Sequence, residues 1–105
     1  MKIALDAMGG DHAPGVNLEG TRDILAANPD IETIFLTGPA EELKKAALEC
    51  GLTDKRAQFV DATEVVGMAE SGAKAIRRKK NSSIAVANEL VKKGDAEAVV
   101  SAGNT

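Results

Sequence analysis

The chain has 105 residues, 44% of them hydrophobic and 28% charged, with a net charge of −3. That is one domain's worth of polypeptide, too charged for a membrane span and too apolar for a disordered tail, and no apolar run approaches the ~20 residues a bilayer crossing needs. A single cysteine excludes a disulfide framework and a Cys-rich zinc site, and two phenylalanines as the only aromatics leave few platforms for stacking bases, so nucleic acid is not an expected partner.

The opening Met1–Asp6 is not a secretory signal, because Asp6 interrupts its apolar run almost at once. A cytoplasmic setting is the default expectation. Ile3-Ala4-Leu5 reads as a first strand, followed by a glycine-rich loop and a helix over Asn17 to Asn28. Ile34-Phe35-Leu36 is a second strand, stopped by Thr37-Gly38-Pro39. A helix over Ala40 to Cys50 follows: Pro39 suits its first position, Glu41 and Glu42 favour its positive end, and Gly51 suits the stop. Leu43, Ala46, Ala47 and Cys50 form its buried stripe, which makes Cys50 a core residue rather than a nucleophile. Gln58-Phe59-Val60 is a weaker third strand. A short helix is expected over Gly72 to Lys79, and a clear one over Ser83 to Lys93 with Ile84, Ala87 and Val91 on one face. Ala96 to Ser101 is the fourth strand.

Strands alternating with helices predict an α/β fold with a mostly parallel sheet flanked by helices, in Rossmann-like layers. The strands are continuously apolar, as strands covered on both faces are. Ligands of such sheets bind beyond the carboxyl ends of the strands. The loop after Leu5, the turn after Leu36 and the stretch Ser101 to Thr105 should meet there. The sequence stops before any helix covers the fourth strand, so it reads as a fragment of a longer chain.

Three segments carry candidate chemistry. Asp6-Ala7-Met8-Gly9-Gly10-Asp11-His12-Ala13-Pro14-Gly15 follows a strand and precedes a helix. Its glycines let backbone N–H groups turn toward an anion at a helix start. It is no Walker A loop, since Val16-Asn17 stand where Lys-Ser/Thr is required, and G-x-G-x-x-G is absent. His12 and Asp11 are its candidate catalytic groups, His12 because imidazole titrates near neutrality. In Arg77-Arg78-Lys79-Lys80-Asn81-Ser82-Ser83, cations and hydroxyls lead into a helix start. That makes Arg78, Lys80, Ser82 and Ser83 candidate phosphate ligands, although Ser or Asn at such a place also serves as an ordinary helix cap. Ser101-Ala102-Gly103-Asn104-Thr105 is a small, polar turn at a strand end, with Ser101, Gly103, Asn104 and Thr105 as candidate ligand contacts beside Gly9 and Gly10. No metal-ligand pattern is present.

Together, Asp-Ala-Met-Gly-Gly-Asp-His-Ala-Pro at 6–14, Arg-Arg-Lys-Lys-Asn-Ser-Ser at 77–83 and Ser-Ala-Gly-Asn-Thr at 101–105 resemble the bacterial phosphate acyltransferases of fatty acid and phospholipid synthesis. The motifs span the whole chain in that family's order, and the resemblance implies that residues 1–105 are the N-terminal part of one incomplete α/β catalytic domain. Glu70-Ser71-Gly72 departs from its pattern, which places a proline there. The resemblance implies a fold like that of phosphotransacetylases and isocitrate-type dehydrogenases. It implies transfer of an acyl group from acyl carrier protein to inorganic phosphate, with no cofactor. It also implies a homodimer when full length, a membrane acyltransferase as downstream partner, and peripheral membrane contact only through regions beyond residue 105. Such an enzyme needs no activated serine, because phosphate is itself the nucleophile. It needs an anion cradle and donors for the charge developing on the thioester oxygen. The basic run suits either phosphate or the acidic carrier protein, and the residues leave both roles open. A second reading is a non-catalytic phosphate- or nucleotide-binding module. The broken nucleotide motifs oppose its nucleotide form. The 105-residue piece alone is expected to be inactive.

Overall fold

The structure, a computed structural model, describes residues 1–62 and 82–103. Its elements in chain order are β1 (Lys2–Asp6), α1 (Gly15–Ala27), β2 (Thr33–Gly38), α2 (Ala40–Cys50), β3 (Ala57–Asp61), α3 (Ser83–Lys92) and β4 (Ala98–Val100). The four strands form one parallel sheet in the order β3-β2-β1-β4. The α/β class and the parallel sheet are as the sequence predicts. The helix expected over Gly72 to Lys79 lies outside the described residues.

Because side chains alternate along a strand, the sheet feeds two cores. On one face, Ile34 and Leu36 pack with Leu18 and Leu25 of α1 and with Leu43 and Ala47 of α2, with Ile3 and Leu5 at the margin. On the other, Ala4 packs with Ala87 and Leu90 of α3 and with Ala96. The chain steps from β1 to β2 to β3 in one direction, then returns on the far side of β1. The order therefore reverses between β1 and β4, where open α/β sheets form their ligand crevice.

Local differences from the sequence reading have tertiary causes. The buried positions of α3 are Ser83, Ala87 and Leu90, while Ile84 and Val91 are half-buried. The helix is turned so that the Ser83 carbonyl can accept a hydrogen bond from the Thr37 hydroxyl at 2.7 Å. Pro39 precedes α2 in an extended conformation instead of opening it. The first N–H of that helix, on Ala40, donates to Asp61 at 2.9 Å. α1 begins at Gly15, two residues before the expected start. β4 is shorter than Ala96 to Ser101, because the Ala96 N–H is taken by Leu90 O and the Ser101 side chain turns inward. Cys50 is half-buried at the end of α2 and packs against the core.

Arg56 closes the lower end of the domain. The Leu25 carbonyl would ordinarily accept from residue 29, but Pro29 has no N–H to give. Arg56 supplies the missing donor. Its guanidinium reaches the carbonyl oxygens of Leu25, Asn28 (3.0 Å) and Ile31 (3.0 Å), and it pairs with Asp54 at 2.8 Å. The hydrogen bond from Arg56 holds the Asp54 carboxyl below the usual carboxylate range. Stabilisation from this pair is thus complete above the unfolded-state pKa of Asp54 and fades as pH falls through its lower folded value. In the full-length protein, Arg56→Ala will lower the urea midpoint without changing the slope, and will flatten that acid-side decline. Lysine will not restore the midpoint, since one ammonium cannot fork to three carbonyls. Urea titrations at two pH values check both outcomes.

Candidate functional site at the strand switch point

Asp6 is the last residue of β1 and is buried, 4% exposed. Its Oδ1 accepts the Met8 N–H at 3.1 Å, an Asx-type turn that bends the chain off the strand. Its Oδ2 accepts the Ser101 hydroxyl at 2.9 Å, across 95 residues of sequence. Ser101 Oγ in turn accepts the Gly103 N–H at 3.0 Å. One carboxylate therefore shapes both loops of the crevice.

The two loops touch. A Cβ on Gly9 would stand 2.8 Å from the Gly103 nitrogen and 2.8 Å from Ser101 Oγ, so only glycine fits. A Cβ on Gly103 would meet Ser101 Oγ at 3.1 Å and Gly9 Cα at 3.5 Å. Gly10 has φ +93°, a conformation that glycine adopts without strain. Asn17, in the first turn of α1, fastens the loop to the helix: its Nδ2 donates to the carbonyls of Ala7 (2.8 Å) and Gly9 (2.9 Å).

In a parallel sheet with returning helices, the helix N-termini lie at the carboxyl edge, so positive partial charge gathers there. α2 and α3 have side chains at theirs. Asp61 binds the first amide of α2, and Ser82 Oγ accepts the Ala85 N–H of α3 at 3.2 Å. α1 has neither a side-chain cap nor an acidic residue in its first turn. Among the described residues, α1, adjoining Gly9 and Gly10, is the helix whose start has neither kind of side chain.

Of the residues singled out in the sequence, Gly9, Gly10, Ser101 and Gly103 come together at the switch point. Ser82 and Ser83 belong to the same edge but begin the helix on the opposite face of the sheet. They are fixed there through Thr37, whose hydroxyl donates to Ser83 O and lies 3.3 Å from Leu5 O. Both serines are fully buried, and the Ser82 hydroxyl serves as the cap of α3. Asp11 and His12 are exposed at the mouth of the loop and make no side-chain hydrogen bond among the described residues. Arg78, Lys80, Asn104 and Thr105 lie outside the described residues. Sequence reasoning missed Asp6 as an organiser, and with it Asn17 and Thr37. A charged residue closing an apolar strand was the available signal for Asp6; Asn17 and Thr37 had none.

The geometry defines a class: an open parallel α/β domain in which the glycine-rich loop after β1 closes onto the Ser101–Gly103 turn at the strand switch point, beside a helix start without a side-chain cap. The chain belongs to the fatty acid synthesis protein family, whose family model matches residues 1–105. It is 52% identical over 105 residues to a phosphate acyltransferase of Akkermansia muciniphila and 52% identical to one of Desulforamulus reducens. A third phosphate acyltransferase, from Exiguobacterium sp., is 47% identical over 106 residues. Each match covers the whole of this chain but only 30–31% of the relative, so the chain spans under a third of the length of these curated relatives. Among the described residues, no helix is long and apolar enough to cross a membrane, and no cluster of three or more His, Cys, Asp or Glu could hold a metal ion.

Proposed function

We propose that the full-length protein transfers a fatty acyl group from acyl carrier protein to inorganic phosphate, giving an acyl phosphate for phospholipid synthesis. A phosphate oxygen attacks the thioester carbonyl carbon and a C–O bond forms. The tetrahedral oxyanion collapses, the C–S bond breaks, and the carrier-protein thiolate leaves. Phosphate is its own nucleophile, so the protein supplies position, anion binding and hydrogen-bond donors. The observation that carries this reading is the closure of the Asp6–Gly10 loop onto Ser101–Gly103 beside the uncapped start of α1.

In this reading the backbone around Gly10, with Asn104 and Thr105, forms the cradle for phosphate and the thioester oxygen, while Gly9, Ser101 and Gly103, whose donors are taken up by Asp6 and Ser101, hold its walls in place. Ser82 and Ser83 act through the main chain of the α3 N-terminus, since their side chains are buried. Arg78 and Lys80 neutralise phosphate or meet the carrier protein. His12, with Asp11 beside it, protonates the departing thiolate. That assistance is modest, because a thiol of pKa near ~8.5 leaves readily as the anion. A second copy and a membrane acyltransferase complete the expected partners, and the family resemblance is what supports them.

The test is direct. Full-length protein given acyl carrier protein thioester and phosphate will yield an acyl phosphate that hydroxylamine traps as a hydroxamate. Absence of hydroxamate under conditions where the protein is folded would remove the proposal. Asp11→Ala and His12→Ala will lower turnover by about 10²-fold at most, the low end for acid–base assistance. Both residues are exposed, so folding stability should stay within about 0.5 kcal/mol. Unchanged turnover in both variants would take the loop's side chains out of the mechanism and leave only its backbone in it.

A further inference from the structure

Asn17 does more than tie the first loop to α1. Its Nδ2 gives both protons to that loop, to the Ala7 carbonyl at 2.8 Å and to the Gly9 carbonyl at 2.9 Å. A trans peptide is planar, with its N–H directed opposite to its C=O. Turning the Ala7 carbonyl to Asn17 therefore turns the Met8 N–H the other way, where Asp6 Oδ1 accepts it at 3.1 Å. The Ala7–Met8 peptide is thus held at both ends.

The Gly9–Gly10 peptide is held at one end. Its carbonyl faces Asn17, so its N–H, on Gly10, faces away from that side chain. Among the described residues this N–H has no acceptor, and Gly10 is half-buried. The peptide borders the second loop, since a Cβ on Gly10 would stand 3.4 Å from Ala102 Cβ. Glycine on both sides lets such a unit adopt either orientation, and Gly10 already stands at φ +93°. With its carbonyl unheld, the unit is free to swing over and turn its N–H inward.

We propose that Asn17 is a positioning residue for phosphate: its amide locks the Gly9–Gly10 peptide so that the Gly10 N–H points into the crevice and donates to a phosphate oxygen. This role rests on the acyl-transfer reading and assigns one donor of its cradle. It also accounts for the residue type. The amide carries two donors on one nitrogen, whereas an aspartate of the same shape carries none and attracts the N–H that Asn17 turns away.

Asn17→Ala and Asn17→Asp in the full-length protein give the test. Alanine releases the peptide; aspartate repels the Gly9 carbonyl and draws the Gly10 N–H inward. The KM for phosphate will rise about tenfold in Asn17→Asp, the worth of one hydrogen bond to a charged group, and less in Asn17→Ala. Thr21→Ala is the control. Thr21 is buried one turn further along α1 and donates to the Asn17 carbonyl at 2.8 Å, so its loss will lower the thermal midpoint and leave that KM unchanged. A KM raised equally in Thr21→Ala overturns the proposal, because any loosening of α1 would then do the same. Hydroxamate formation with the wild-type KM in both Asn17 variants also overturns it, and leaves acyl transfer standing. If the wild type forms no hydroxamate, the acyl-transfer reading falls and the Gly10 amide resonance decides. Movement on phosphate titration in the wild type and none in Asn17→Asp upholds the clamp; any other pattern overturns it.

Discussion

Gly9→Ala will cut acyl phosphate formation by the full-length protein by about 10²-fold while leaving it folded. The added methyl has nowhere to go: its carbon would stand 2.8 Å from a backbone nitrogen, 2.8 Å from Ser101 Oγ and 3.1 Å from Asp6 Oδ2. None of these is the free end of a flexible chain. The nitrogen is main chain, and the two oxygens are hydrogen-bonded to each other. Relief must come from the loops moving apart, since Asn17 also holds the Gly9 carbonyl from the α1 side. Overpacking of this kind costs roughly 1–3 kcal/mol of stability, tolerable for a full-length domain. The larger effect falls on function, because a displacement of about 1 Å among positioning groups is enough for a hundredfold loss. Hydroxamate assays together with urea titration separate the two. Gly15→Ala is the control, for a Cβ there meets nothing within 4 Å. Equal activity of the two variants would mean that the contact between the loops does not matter to the chemistry.

The order of elements was legible because each strand is an unbroken apolar run and proline or glycine marks the joints. Thr37-Gly38-Pro39 ends β2, and the bounds of α2 came out as the sequence implied. The carboxyl-edge rule also put the loop after β1 and the Ser101–Gly103 turn in one place, where they touch. What local sequence could not supply was which loops touch. That depends on β4 lying beside β1 and not beyond β3, a fact about the return of the chain over the sheet. The link between Asp6 and Ser101 has no periodicity to betray it. The facing stripe of α3 was read in part: Ala87 is buried and Val91 packs against its cluster, while Ser83 and Leu90 supply the rest of the buried face. Ile84 is only half-buried, and the bond from Thr37 to the Ser83 carbonyl holds the helix start at this rotation. Ser82 shows the limit of motif reading, since the hydroxyl that marks a phosphate loop is also a helix cap, and here it is spent on Ala85.

Asp6→Ala should be the most damaging single change at the crevice, because one buried carboxylate organises both of its walls. Truncation leaves the Met8 N–H and the Ser101 hydroxyl without their acceptor in a site that is 4% exposed at Asp6. Hydrogen bonds to a charged group contribute about 1.5–3 kcal/mol each, so a loss of roughly 3–6 kcal/mol in stability is expected. Asp6→Asn keeps an acceptor for Met8 but weakens the bond with Ser101, and should lose less. Ser101→Ala removes the other half of the pair and also strands the Gly103 N–H, at about 1–2 kcal/mol. If the two side chains act as a unit, the double variant Asp6→Ala/Ser101→Ala will be less damaged than the sum of the singles, by about 1 kcal/mol or more. Denaturant titration of the four full-length proteins measures that coupling. Strict additivity would mean that Asp6 and Ser101 shape their loops separately, and that the crevice is held closed by the glycine contact alone.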